Sequence, residues 1–104
     1  MCTLMGLRNS NIVALIRENI ALFDKFDAVY LFGSVLDENK FSNDVDMLII
    51  YTSYSDIIKQ ETNFILHSLE DLIGLPIDLT VLSIAEEQDT HFLSRISQRY
   101  LRLK

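Results

Sequence analysis

The chain has 104 residues, 49% of them hydrophobic, with three glycines, one proline and a formal charge of −6. This composition excludes a disordered chain and predicts one domain over residues 1–104 with a core of its own, while the acidic balance disfavours nucleic acid as a partner, because its phosphates would be repelled. The single cysteine, Cys2, excludes an internal disulfide and a cysteine-built zinc cluster and suits a reducing cytoplasm, and no apolar run approaches a membrane span.

From Ser10 to about Phe26 the apolar residues Val13, Ile16, Ile20 and Phe23 recur at helical spacing, with Arg17, Glu18 and Lys25 for the wet side, which predicts a first amphipathic helix. Ala28–Phe32 (AVYLF) is short, aromatic and branched and runs into Gly33, as a buried strand does. Val45–Tyr51, with its apolar run Met47 to Ile50, reads as a second strand. Ser55 can cap a helix whose apolar positions Ile58, Ile65, Leu69 and Leu72 keep the period until Gly74 and Pro76 stop it. Pro76–Leu82 alternates as a third strand. Ser83 and Glu86 form a capping box, followed by Glu87 and Asp89, with Arg95, Arg99, Arg102 and Lys104 towards the end, which predicts a last helix. The order of elements is that of an α/β (α+β) domain, a small mixed sheet with flanking helices.

Connection lengths constrain the pairing. The helix from Ser55 to Ile73 is long enough for a right-handed crossover, so the second and third strands should run parallel with Asp46 and Asp78 at the same end. The linker from Gly33 to Asn43 is too short for most such crossovers, so the first strand should run antiparallel and bring Gly33 and Ser34 to that end too. There, Asp44 and Asp46 stand two residues apart on one strand face, where their carboxylates can hold hard divalent cations. Gly33 lets the backbone come close to phosphate oxygens, and Ser34 can donate its hydroxyl and main-chain N–H to them.

Gly33, Ser34, Asp44, Asp46 and Asp78, in that order and strand context, resemble the small nucleotidyltransferases with the DNA polymerase beta type of fold in their minimal form, over residues 28–82. The resemblance implies a nucleotidyltransferase fold, with Asp44, Asp46 and Asp78 as catalytic and metal-holding residues around a pair of Mg²⁺ ions. Asp78 would also serve as a base or orienting acceptor. It further implies a nucleoside triphosphate donor, ATP foremost, gripped by Gly33 and Ser34, with pyrophosphate leaving. The chain departs from the pattern Gly-Ser-x-Ala-Arg-Gly by carrying Asp37 and Glu38 at the Arg and Gly places, where Lys40 can compensate, and by inserting Asn43 between Ser42 and Asp44.

Minimal members of this family occur beside a partner protein, notably as the antitoxin of prokaryotic pairs with a helical HEPN ribonuclease. The resemblance therefore implies Mg-dependent transfer of AMP to a hydroxyl of a partner protein, or a homo-oligomer that completes the acceptor site. Two other readings remain open: a catalytically silent module that neutralises a partner by contact, with Asp37 and Glu38 marking a lost donor site, and a transferase acting on a small molecule such as an antibiotic. His67 and His91 lack metal-ligand spacing, the arginines from Arg95 onward read as dipole-complementing, and Tyr51 or Tyr54 could flank a base.

Overall fold

The computed structural model describes residues 8–96 and 99–104; Cys2 lies outside them. Ile12 and Ile16, one turn apart, bury completely from helix α1 (Asn9–Glu18). The helix is shorter than its periodicity predicts. Asn19 ends it by turning its side-chain amide back on the Leu15 carbonyl at 2.8 Å, and the chain tightens into a 3₁₀ turn, Ile20–Phe23. An i, i+3 repeat satisfies both helix types, so Phe23 still reaches the core and the sequence pattern does not register the change.

Strand β1 (Ala28–Phe32) leads into a second 3₁₀ turn, Gly33–Leu36, then β2 (Val45–Tyr51), helix α2 (Asp56–Ile73) and β3 (Ile77–Ser83). The expected pairings hold: β1 is antiparallel to β2 with Phe32 opposite Asp46, and β2 is parallel to β3 with Asp46 opposite Asp78. Helix α2 is capped by the Ser55 hydroxyl, which accepts from the Ile58 N–H at 3.3 Å, and ends at Gly74 in a left-handed conformation. Its buried stripe is Ile58, Ile65, Leu69 and Ile73; Leu72, expected inside, is exposed, and Ile73 closes the stripe one turn beyond Leu69. No helix among the described residues is long and apolar enough to cross a membrane.

The last segment differs from the expected single helix. Capped as expected by Ser83 and Glu86, α3 (Ile84–Thr90) stops at His91, which adopts a positive φ of 51°. A short α4 (Phe92–Ile96) follows, then a strand, β4 (Tyr100–Arg102), antiparallel to β1. The sheet order is β3-β2-β1-β4. Arg102 therefore sits over the Tyr30 ring at 5.6 Å, and the Lys104 ammonium donates to the carbonyls of Phe23 (2.8 Å) and Phe26 (2.7 Å). Good helix formers here yield to the open edge of β1, whose backbone groups need partners.

One sheet face, with Val29, Leu31, Val45, Met47, Ile49 and Ile77, forms the main core with α1 and α2. The other carries Ala28, Tyr30, Leu48 and Ile50, covered by Phe92 and Leu93. Alternation places Asp46 and Asp78 on this second face, at the end where β2 and β3 begin.

Candidate active site

Asp44 lies just ahead of β2, Asp46 is its second residue, and Asp78 is the second residue of β3. One carboxylate oxygen from each lies within 4.8 Å of the others, with Asp46 half-buried and Asp78 exposed. Strand register produces this convergence: partners in a parallel pair share a face, and Asp46 and Asp78 are partners. Burial, then the charges of Asp44 and Asp78, then a hydrogen bond shared with Asp78 push the Asp46 carboxyl up to about 6. Like charges this close oppose one another's ionisation, a conflict that a divalent cation resolves.

Gly33 stands directly beside Asp46. Its φ is +81°, and a Cβ there would overlap the Asp46 Oδ2 atom, so a side chain at this position meets both backbone strain and a collision. Ser34 follows in the 3₁₀ turn, half-buried, with its hydroxyl 3.3 Å from the Ser42 hydroxyl. The structure thus brings Gly33 and the three aspartates together at one sheet end. Lys40, exposed, places its ammonium 4.0 Å from Asp37 Oδ2, while Asp37 Oδ1 accepts from the Asn39 N–H at 2.9 Å. The Asp37 carboxylate is therefore engaged within its own loop.

Tyr51 and Tyr54 are not part of this end. Tyr51 closes β2, five residues beyond Asp46, or roughly 16 Å along the strand. The two tyrosines line a separate cavity of about 260 Å³ with Ile58, Lys59 and Val81.

Asn9 is the residue that sequence reasoning missed. It is 5% exposed and donates its side-chain amide to the carbonyls of Ser34 (3.0 Å), Asp37 (2.7 Å) and Lys40 (2.9 Å). Its Oδ1 accepts from the Ser42 hydroxyl at 3.0 Å. An asparagine at a helix start reads locally as a cap; these partners lie 25 to 33 residues away, beyond any local signal.

Residues 12–99 match the family model described as polymerase beta, nucleotidyltransferase. No curated protein matches the chain. Among solved structures, a chain in the crystal structure of a mutant of the toxin-antitoxin MntA–HpeT is similar at 20% identity and a TM-score of 0.57, over 94% of this chain and 73% of that one. A Sulfolobus solfataricus protein assigned as a nucleotidyltransferase is similar at 17% identity and a TM-score of 0.54, over 91% of this chain and 81% of that one. At such identities the two structures speak for the fold, a mixed sheet with flanking helices. Membership rests on the family match, which spans most of the sequence and both aspartate-bearing strands: the chain belongs to the polymerase beta type nucleotidyltransferases.

Proposed function

We propose that the chain, as one domain over residues 1–104, moves a nucleoside monophosphate from a nucleoside triphosphate, ATP foremost, to a hydroxyl of a partner protein in the cytoplasm. The observation that carries this reading is the convergence of Asp44, Asp46 and Asp78 within 4.8 Å beside Gly33. An all-carboxylate donor set whose central member is held near 6 by burial and by the charges of its neighbours fits Mg²⁺, a hard cation that prefers oxygen. Asp44, Asp46 and Asp78 would hold it, and when bound it neutralises charge on the triphosphate and on the developing oxyanions.

The remaining chemistry belongs to the chain. Gly33 and Ser34 offer the donor phosphates a hydroxyl and main-chain N–H groups at the start of a 3₁₀ turn. Asp78, an exposed carboxylate, accepts the proton of the acceptor hydroxyl as the hydroxyl oxygen bonds to the α-phosphorus and the bond to pyrophosphate breaks. Ionised Asp46 is required, and with its carboxyl near 6 it is mostly ionised at pH 7.

The engagement of Asp37 with Asn39 and Lys40 favours a live donor site over a silent module, because this acid is partly neutralised where it stands. Similarity to a chain of the toxin-antitoxin MntA–HpeT supports a toxin as the partner, and we propose one of the HEPN type. The test incubates the protein with ATP, Mg²⁺ and the product of a neighbouring toxin gene and follows the partner's mass. Asp44→Ala and Asp46→Ala should fold and transfer nothing; transfer at the wild-type rate by both would sink the proposal.

A further inference from the structure

The segment from Ser34 to Ser42 connects a 3₁₀ turn to β2 without joining the sheet. Its main-chain bonds make two successive turns, Asp37 N–H to the Ser34 carbonyl (3.0 Å) and Lys40 N–H to the Asp37 carbonyl (3.1 Å). A repeat of three turns the carbonyls of Ser34, Asp37 and Lys40 to one side, where they meet the single amide of Asn9. The other end of that amide accepts from Ser42, and Ser42 is in turn the partner of the Ser34 hydroxyl. Every polar atom of the Asn9 side chain is thus spent on this one segment.

Asn9 is itself well anchored, because Ile12 and Ile16 on the same helix are completely buried. It also precedes the residues, 12–99, that match the family model. The three carboxylates stand on β2 and β3 or beside them, and none is bonded to Asn9. The bonds of Asn9 therefore hold the loop behind the donor turn, while the carboxylates are held by their strands.

We infer that Asn9 is a positioning residue for the donor nucleotide: it holds the loop behind Ser34 so that the Gly33–Ser34 turn presents its hydroxyl and N–H groups to the triphosphate. The role rests on the donor-site reading of Gly33 and Ser34 given above. Through Ser42, Asn9 also fixes the group to which the Ser34 hydroxyl turns when no phosphate claims it. Removing the amide takes a donor from three carbonyls at once, leaving Ser34 and Asp37 only their turn bonds, whereas removing the Ser42 hydroxyl leaves the three amide bonds in place.

The experiment titrates the full chain with Mn²⁺ alone and with Mg·ATP, for wild type, Asn9→Ala, Asn9→Asp and Ser42→Ala, and follows hydrogen exchange of the amides. Asn9→Ala should weaken Mg·ATP binding about tenfold or more, the equivalent of one to two net hydrogen bonds. Asn9→Asp should weaken it further, since a carboxylate oxygen would face three carbonyls. Mn²⁺ affinity should stay within about twofold in both, because the carboxylates keep their strand supports, and Ser42→Ala should lose about threefold for nucleotide. The amides of Asp37 and Lys40 should exchange faster in the Asn9 variants while those of β2 do not.

Nucleotide affinity unchanged in Asn9→Ala overturns the role, as does a parallel loss of nucleotide binding, Mn²⁺ binding and thermal stability, which would mark a merely structural residue. Should Asn9→Ala fail to fold, Ser42→Ala decides alone, and wild-type nucleotide affinity there overturns the role. A wild-type chain that binds Mn²⁺ but no nucleotide overturns the proposed function first and this role with it. Nucleotide binding by wild type that survives Asn9→Ala overturns this role only.

Discussion

Gly33 and Asp46 constrain one another directly. A methyl at Gly33 would occupy the space of Asp46 Oδ2 and would sit on a backbone held at φ +81°. Gly33→Ala should cost about 1–3 kcal/mol by denaturant unfolding and abolish transfer, since relief of the clash displaces the carboxylate. Asp46 carries a second consequence. Its carboxyl lies at about 6 in the folded protein against 3.8 ordinarily, so between those values the folded state binds the proton more tightly than the unfolded state. Without divalent cations its contribution to stability is thus fully present below about 3.8 and is lost as the pH rises to about 6. Asp46→Asn should stabilise the metal-free protein at pH 7 by on the order of 1 kcal/mol after allowance for solvent screening, and the advantage should vanish near pH 4. Urea midpoints at the two pH values check this, and the same variant should be inactive. Asp44, Asp46, Asp78, Gly33 and Ser34 were legible as a group in the sequence because strand periodicity and linker length bring them to one end. The exclusion of any side chain at Gly33 was not, since it depends on how close the turn passes to Asp46.

At the scale of elements, periodicity served best where packing and propensity agree. Helix α2 has a matched start and stop in Ser55 and Gly74, and its limits follow from them. The C-terminal segment shows the opposite case. Arginines, leucines and a lysine after a capping box satisfy helical preference, yet Leu101 and Leu103 turn to the main core and the strand completes β1. Lys104 fastens that strand, reaching back to the turn between α1 and β1 with bonds of 2.7 and 2.8 Å. Lys104→Met should lower stability by about 2 kcal/mol, the range for hydrogen bonds from a charged donor, and should speed amide exchange in β4. Equal melting temperatures for the two proteins would contradict this.

Across the whole molecule, charge sets what the surface admits. At a net −6, with the acidic cluster at one end of the sheet, the charge balance should repel a polynucleotide. Single- and double-stranded oligonucleotides should show no retardation with the protein at about 0.15 M salt; binding that weakens with added salt would instead reveal a basic patch. What the sequence by itself determined is whatever local chemistry encodes: the helix and strand periods, the caps, the parallel and antiparallel pairings implied by connection length, and the aspartates those pairings unite. The tertiary structure alone decided the fate of groups whose partners are remote. Asn9 was assigned to a loop 25 to 33 residues away, and the C-terminal residues became a strand because β1 had an open edge. The reason is physical: a backbone period is written in neighbouring residues, whereas a buried amide or an unpaired strand edge takes whichever partner the packed chain brings within hydrogen-bonding distance.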